Sequence, residues 1–308
     1  MNGAPPRYLC IARHVLISTR GFVRSALRRQ IPFDVLQKLD LRNPLANSVN
    51  LHSRHVSLST GNYDWPSTVK EDKDYGPDQQ DQSSPFRISQ FAVDWATLFK
   101  PNKQMLYTKS SHSSRLPCLH IYPDNLKLTF ASPNPGIAEI EDFMSHLKSP
   151  NLPSFDFLTI TPLPPRTVHI YVCTHNSRDR RCGVVGPLVI RRMRECLASF
   201  PPRGLRVEVF GCSHVGGHKF AGNMVIYRPE WRQGVWYGRI APDDVEGVLK
   251  KTVYESKILG KHWRGGLPDG RWDPKFGLTG EDVENLPFGS FEPDSGSTEC
   301  SCRETKVG

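Results

Sequence analysis

An α/β fold divided into two domains is predicted by three features of the 308-residue sequence. Short β-branched and aromatic runs alternate with amphipathic stretches at helical spacing, the pattern of strands and helices sharing one layered fold. Thr161-Pro162-Leu163-Pro164-Pro165 separates two such series, and consecutive prolines disfavour both helix and sheet interior, so it reads as the interdomain linker. Finally, the length suits about two ordinary domains, and a 38% hydrophobic content supplies cores without disulfide staples. No run of roughly 18 apolar residues occurs, so no spanning helix is expected.

Four segments follow in order: an import peptide and arm over 1–45, an N-terminal α/β domain over 46–160, a C-terminal domain over 166–265, and a disordered acidic tail over 275–308. In the first domain, residues 55–60 read as a strand ending at the Gly61-Asn62 turn, and the polar stretch 71–84 as a surface loop. Phe91, Val93, Trp95, Ala96, Leu98 and Phe99 suggest a helix face. Residues 105–107, 119–122 and 126–130 read as strands, the last two joined by Pro123-Asp124-Asn125, and 139–147 as a helix.

The second series is clearer. Residues 168–172 alternate as a strand. Val189, Met193, Leu197 and Phe200 recur at helical spacing, with Pro187 suiting a helix start. Residues 207–210 form the next strand, 223–227 and 235–240 an antiparallel pair, and Asp243 caps a closing helix to about Tyr254. This βαβ plus ββα order is the minimum of a thioredoxin-like layer.

Charge is concentrated at the amino end. Residues 1–60 hold nine Lys/Arg against two acids, leaving the remaining 248 close to neutral out of a total of +9. The first 33 residues lack Asp and Glu and carry six Arg among scattered apolar residues, the composition of a mitochondrial import peptide. A basic arm touching RNA or a membrane surface is the alternative. With the peptide set aside, no electrostatic footprint for nucleic acid remains.

Eight cysteines occur: Cys10, Cys118, Cys173, Cys182, Cys196, Cys212, Cys300 and Cys302. An intracellular destination disfavours a disulfide scaffold. Cys173 ends the first strand of the second domain, and Cys182 follows after eight residues, just before the Gly183–Pro187 entry into the helix. His214 and His218 leave the next strand in Cys-Ser-His-Val-Gly-Gly-His. The adjacent glycines suit a loop closed around a ligand, and no Glu follows His214 as the general base of a zinc hydrolase. Two thiolates and two imidazoles at neighbouring strand ends suit Zn²⁺ or an iron–sulfur cluster with two His in place of Cys. Eight intervening residues favour something larger than one ion. Cys212 and His175 are nearby candidates for a supporting or alternate role, as are Trp236 and Trp263 for shielding and Arg178, Arg180 and Arg181 for docking an acidic partner. Exposed, silent thiols are the simpler account of Cys300 and Cys302.

The runs HIYVCTHNSRDRRCGVVGPLVIRRM (169–193), VEVFGCSHVGGHKFAGNMVIY (207–227), WYGRI (236–240) and KHWRGG (261–266) resemble the fungal sucrase/ferredoxin-like proteins, as does RHVSLSTGNYDWPS (54–67). That resemblance implies a C-terminal thioredoxin-like [2Fe-2S] ferredoxin domain with Cys173, Cys182, His214 and His218 as cluster ligands. It implies an electron-transfer or redox-control protein with a protein redox partner rather than a stand-alone enzyme, and the Arg-rich amino end favours the family's mitochondrial branch, in the matrix or intermembrane space. The N-terminal half has no CxxC, so the resemblance assigns it no thiol exchange. Neutral imidazoles in place of two thiolates remove two negative charges and raise the potential of such a cluster. A structural zinc module, or a thiol oxidoreductase using Cys173 and Cys182, are the rival readings. No carboxylate pair supports sugar hydrolysis.

Overall fold

In the computed structural model, residues 30–49, 52–65, 105–149, 151–199, 204–231 and 234–266 are described. The expected import peptide, the loop at 71–84, the helix at 91–99 and the acidic tail lie largely or wholly outside them. The described residues form a mixed α/β fold around one ten-stranded sheet, in the order β10-β9-β8-β6-β7-β2-β1-β3-β4-β5. The strands are β1 (Arg54–Ser59), β2 (Met105–Ser110), β3 (Cys118–Tyr122), β4 (Leu126–Phe130), β5 (Leu158–Pro162), β6 (Thr167–Cys173), β7 (Arg206–Cys212), β8 (Met224–Tyr227), β9 (Val235–Tyr237) and β10 (Trp263–Gly265). The helices are α1 (Phe33–Leu36), α2 (Ile137–His146), α3 (Arg180–Ser199) and α4 (Val245–Val248), the last continuing as a π-helix over Leu249–Tyr254.

The two series of strands therefore share one sheet, joined where Ser110 of β2 registers with Cys212 of β7. The expected linker is a different object. Thr161 and Pro162 close β5, an edge strand paired only with β4, where a proline without an N–H removes no ladder bond. Two apolar clusters persist on this common sheet. One gathers Leu119, Ile121, Leu128, Phe130, Ile140 and Phe143 under α2. The larger packs β6 to β9 against α3 and α4, and takes in Ile31 and Val35, which lie within the stretch expected to be an arm.

The βαβ half is present, since β6 and β7 are parallel on either side of α3. β8 runs antiparallel to β6, and β9 antiparallel to β8. The helix begins at Arg180, seven residues before Pro187. Its cap is Asp179, whose Oδ1 accepts the Arg181 N–H at 2.9 Å, a carboxylate satisfying an orphan donor at the positive end of the helix. Pro187 sits inside α3 on an exposed position. Cys182, Val185, Gly186, Val189, Ile190, Met193 and Cys196 form its buried stripe. Asp243 is likewise not the cap of the closing helix: the Ala241 N–H bonds Asp244 Oδ2 at 3.0 Å.

Candidate metal centre

Cys173 is the last residue of β6, and its N–H bonds Asn223 O at 3.0 Å, which carries the sheet to the end of the strand. The chain then crosses the sheet edge through 174–179 and re-enters as α3, so Cys182 lies in the first turn of the helix rather than ahead of it. Two glycines allow this close return. A Cβ on Gly183 would lie 2.2 Å from Asn176 Oδ1, and one on Gly186 would lie 2.2 Å from the carbonyl oxygen of Cys173. Both thiols are fully buried and unbridged.

The Cys173 thiol interacts with the Cys182 thiol and with the His214 imidazole, and these contacts pull its pKa well below that of an ordinary thiol. Cys182 is driven the opposite way by the same neighbour and by burial. The two buried thiols thus cannot both ionise without each facing the other's charge. A metal, which takes thiolates, removes that conflict.

The histidines come from the loop after β7. Gly216 and Gly217 have φ of 81° and 68°, the left-handed region open to glycine at low cost, and they turn the chain so that His218 opens a short 3₁₀ segment. The two rings stand 5.4 Å apart, tilted by 37°. Nδ1 of His218 is buried with no hydrogen-bond partner among the described residues, whereas its Nε2 lies 3.8 Å from Asp179 and the side chain is 43% exposed. A nitrogen buried without a partner is a costly arrangement, and a metal ligated at that atom relieves it.

Beneath the loop lies Arg264 of β10, a strand the sequence pattern does not announce. Its guanidinium donates to Gly216 O at 3.1 Å, Asn223 Oδ1 at 2.7 Å and Ser48 O at 3.0 Å, while Asn223 donates to Gly217 O at 2.9 Å. Burial lowers the Arg264 pKa to about 10, against the pull of Cys182 and Cys173. It is a positive charge embedded behind the thiol pair, and it ties the histidine loop to β8 and β10.

The remaining sequence candidates sort themselves by contact. His175 Nε2 bonds Trp65 O at 2.7 Å, which occupies that nitrogen with a carbonyl. Cys212 is fully buried and registers with Cys173 in the parallel ladder, with burial pushing its thiol pKa up. Trp236 and Trp263 belong to the main core. Arg181 is held by Asp179 at 2.8 Å and Arg180 pairs with Asp34 at 3.0 Å; Arg178 and Arg180 are both exposed. Cys300 and Cys302 lie outside the described residues.

The donor set is therefore brought to one sheet edge, two sulfurs from the β6–α3 crossing and two nitrogens from the loop after β7. It does not close on a single point. Among the described residues, a triad tight enough for one ion is found elsewhere, at His112, Cys118 and His120. Sequence reading placed Cys118 in the first half without a role and passed over both histidines, though Cys-Leu-His on one strand face is a legible signal.

The chain is 41% identical over 96 residues to altered inheritance of mitochondria protein 32 of Meyerozyma guilliermondii, covering 31% of this chain and 33% of that one. It is 32% identical over 169 residues to the protein of that name from Debaryomyces hansenii, covering 48% and 59% respectively. The chain thus spans between a third and about three-fifths of the length of these curated relatives. Among solved structures, a thioredoxin-like [2Fe-2S] ferredoxin from Aquifex aeolicus aligns over 34% of this chain and 98% of its own, at 18% identity and a TM-score of 0.28. The Sucrase/ferredoxin-like family model matches residues 45–265, most of the sequence and all four of these cysteine and histidine positions, and the chain belongs to that family.

Proposed function

We propose that the protein carries a [2Fe-2S] cluster on Cys173, Cys182, His214 and His218 and works in one-electron transfer or redox control in mitochondria, in the matrix or the intermembrane space, with a protein partner. A mitochondrial location accords with the names of its relatives and with the acid-free, Arg-rich first 33 residues. The observation that carries the cluster reading is the pairing of two buried, unbridged thiols with a buried, partnerless His218 Nδ1 at the same sheet edge. When bound, such a group supplies reversible uptake of one electron at a potential set by its ligands and surroundings.

The chain's own residues do the rest. Cys173 and Cys182 hold the inner end away from water. The Gly216-Gly217 turn presents both imidazoles, and Arg264 fixes that turn while placing a buried positive charge behind the thiolates, which favours added negative charge. His218, 43% exposed, marks the side on which a partner approaches.

Zinc in the same site, and thiol exchange, are the competing outcomes. Exchange requires a thiol that a partner can reach, and both sulfurs are fully buried. Anaerobic purification of the full chain, with iron, zinc and acid-labile sulfide measured alongside visible and electron paramagnetic resonance spectra, separates them. Equal iron and sulfide with a paramagnetic reduced state is expected. A colourless protein with stoichiometric zinc and no sulfide overturns the reading, and so does a reversible Cys173–Cys182 disulfide whose turnover survives His214→Ala.

A further inference from the structure

On β3, residues two apart share a face, so Cys118 and His120 project together, and His112 in the β2–β3 connection folds over them. One donor atom from each lies within 4.8 Å of the other two. The rings of His112 and His120 stand 4.8 Å apart and nearly perpendicular. Each imidazole is oriented by a hydroxyl: Ser59 Oγ stands 2.9 Å from Nδ1 of His112, and the Tyr171 hydroxyl 3.4 Å from Nδ1 of His120. Such outer contacts fix the tautomer and ring direction of a histidine that ligates through its other nitrogen. Phe210 walls one side, 5.3 Å from the His112 ring.

We propose that His112, Cys118 and His120 form a second, mononuclear site for a divalent transition metal of the zinc class, separate from the cysteine–histidine centre at 173–218. Two imidazoles and one thiolate are ligands that such an ion takes, and three protein ligands leave a fourth position for water. The half-buried His112 gives that position access to solvent, while Cys118 and His120 are buried. Donors around tetrahedral zinc stand roughly 3.5 Å apart, given bonds of about 2.0 Å to nitrogen and 2.3 Å to sulfur, so side-chain rotation closes the triad. Burial keeps both imidazoles neutral, His112 with a pKa near 4. Binding therefore displaces one proton, that of the Cys118 thiol, as the S–H bond gives way to a metal–sulfur bond. Lys127, registered opposite His120 on β4, acts on all three ligands as an unfavourable positive charge for an arriving cation.

Titration of the full chain with Co²⁺ tests this. One equivalent is expected to give a thiolate-to-cobalt charge-transfer band with release of one proton, retained in Cys173→Ser and lost in Cys118→Ser. His112→Gln, at the half-buried edge, should weaken Co²⁺ by more than about tenfold, and Lys127→Gln should strengthen it several-fold, both with unaltered iron and sulfide at the other centre. A band that disappears in Cys173→Ser while surviving Cys118→Ser, or affinity unchanged by His112→Gln and Lys127→Gln, overturns the proposal.

Discussion

Arg264 shows how much one buried side chain organises. Its guanidinium spans Gly216 O, Asn223 Oδ1 and Ser48 O, so removing it leaves one buried and two half-buried acceptors without their donor behind the centre. Arg264→Met is expected to cost about 2–4 kcal/mol and to lower iron content. Arg264→Lys should recover little of either, because an ammonium cannot reproduce the planar fork. Urea denaturation and iron analysis check both. At Gly217, a Cβ would lie 2.3 Å from Arg264 Nη2 on a backbone with φ of 68°, so Gly217→Ala should destabilise by about 1–2 kcal/mol from the left-handed conformation alone and displace His218. Conversely, His218→Cys keeps a sulfur donor where the nitrogen was and adds a negative charge. A retained cluster with a lower midpoint potential is expected, and an unchanged midpoint would contradict ligation by His218.

At the scale of elements, the distance between Cys173 and Cys182 is set by how closely α3 lies on the end of β6. Gly186 is the contact, with the Cys173 carbonyl only 2.2 Å from where a Cβ would be built. Neither atom is the movable tip of a side chain, so Gly186→Ala must push the helix away. About 1–3 kcal/mol of overpacking is expected. The specific sign is a loss of iron larger than that in Val185→Ala, which empties a position on the same buried stripe. Equal iron in the two variants would show that helix placement does not govern the site.

For the whole molecule, one sheet joins the two apolar clusters, and a layer of buried histidines and tyrosines lies across the join. His55 on β1 reaches Tyr227 of β8 at 2.9 Å and Thr108 of β2 at 2.7 Å, with Tyr122, Tyr171 and Trp236 against its ring. Burial, reinforced by His52, holds its pKa well below 6.5. The unfolded chain then takes up a proton at His55 that the folded chain refuses. Its contribution is complete above pH 6.5 and falls as pH drops below that value. Glu208, held to about 2 by the His169 ring beside it, adds a contribution present above 4.5 and lost as pH falls from 4.5 towards 2. Urea midpoints followed from pH 7.5 to 5 should decline, and His55→Gln should flatten that decline. A slope the variant leaves untouched would assign the acid sensitivity elsewhere.

Eight of the ten strands, all but β5 and β10, the stripe on α3 and the cysteine and histidine pairs are legible in the residues themselves, because period-two and period-3.6 patterns and the chemistry of donor groups are local properties. Pro187, a common first helical residue, points to a later start of α3 than the true one, whose cap is Asp179 accepting the Arg181 N–H. Tertiary structure alone decided that the two strand series share a sheet through Ser110 and Cys212, that Arg264 from the far end of the chain braces the histidine loop, and that His112 closes over Cys118 and His120. The first two depend on pairing between segments far apart in the chain, and the third on β1 lying between β2 and β3; the packing that makes such choices leaves no periodicity in the sequence of the segments it joins.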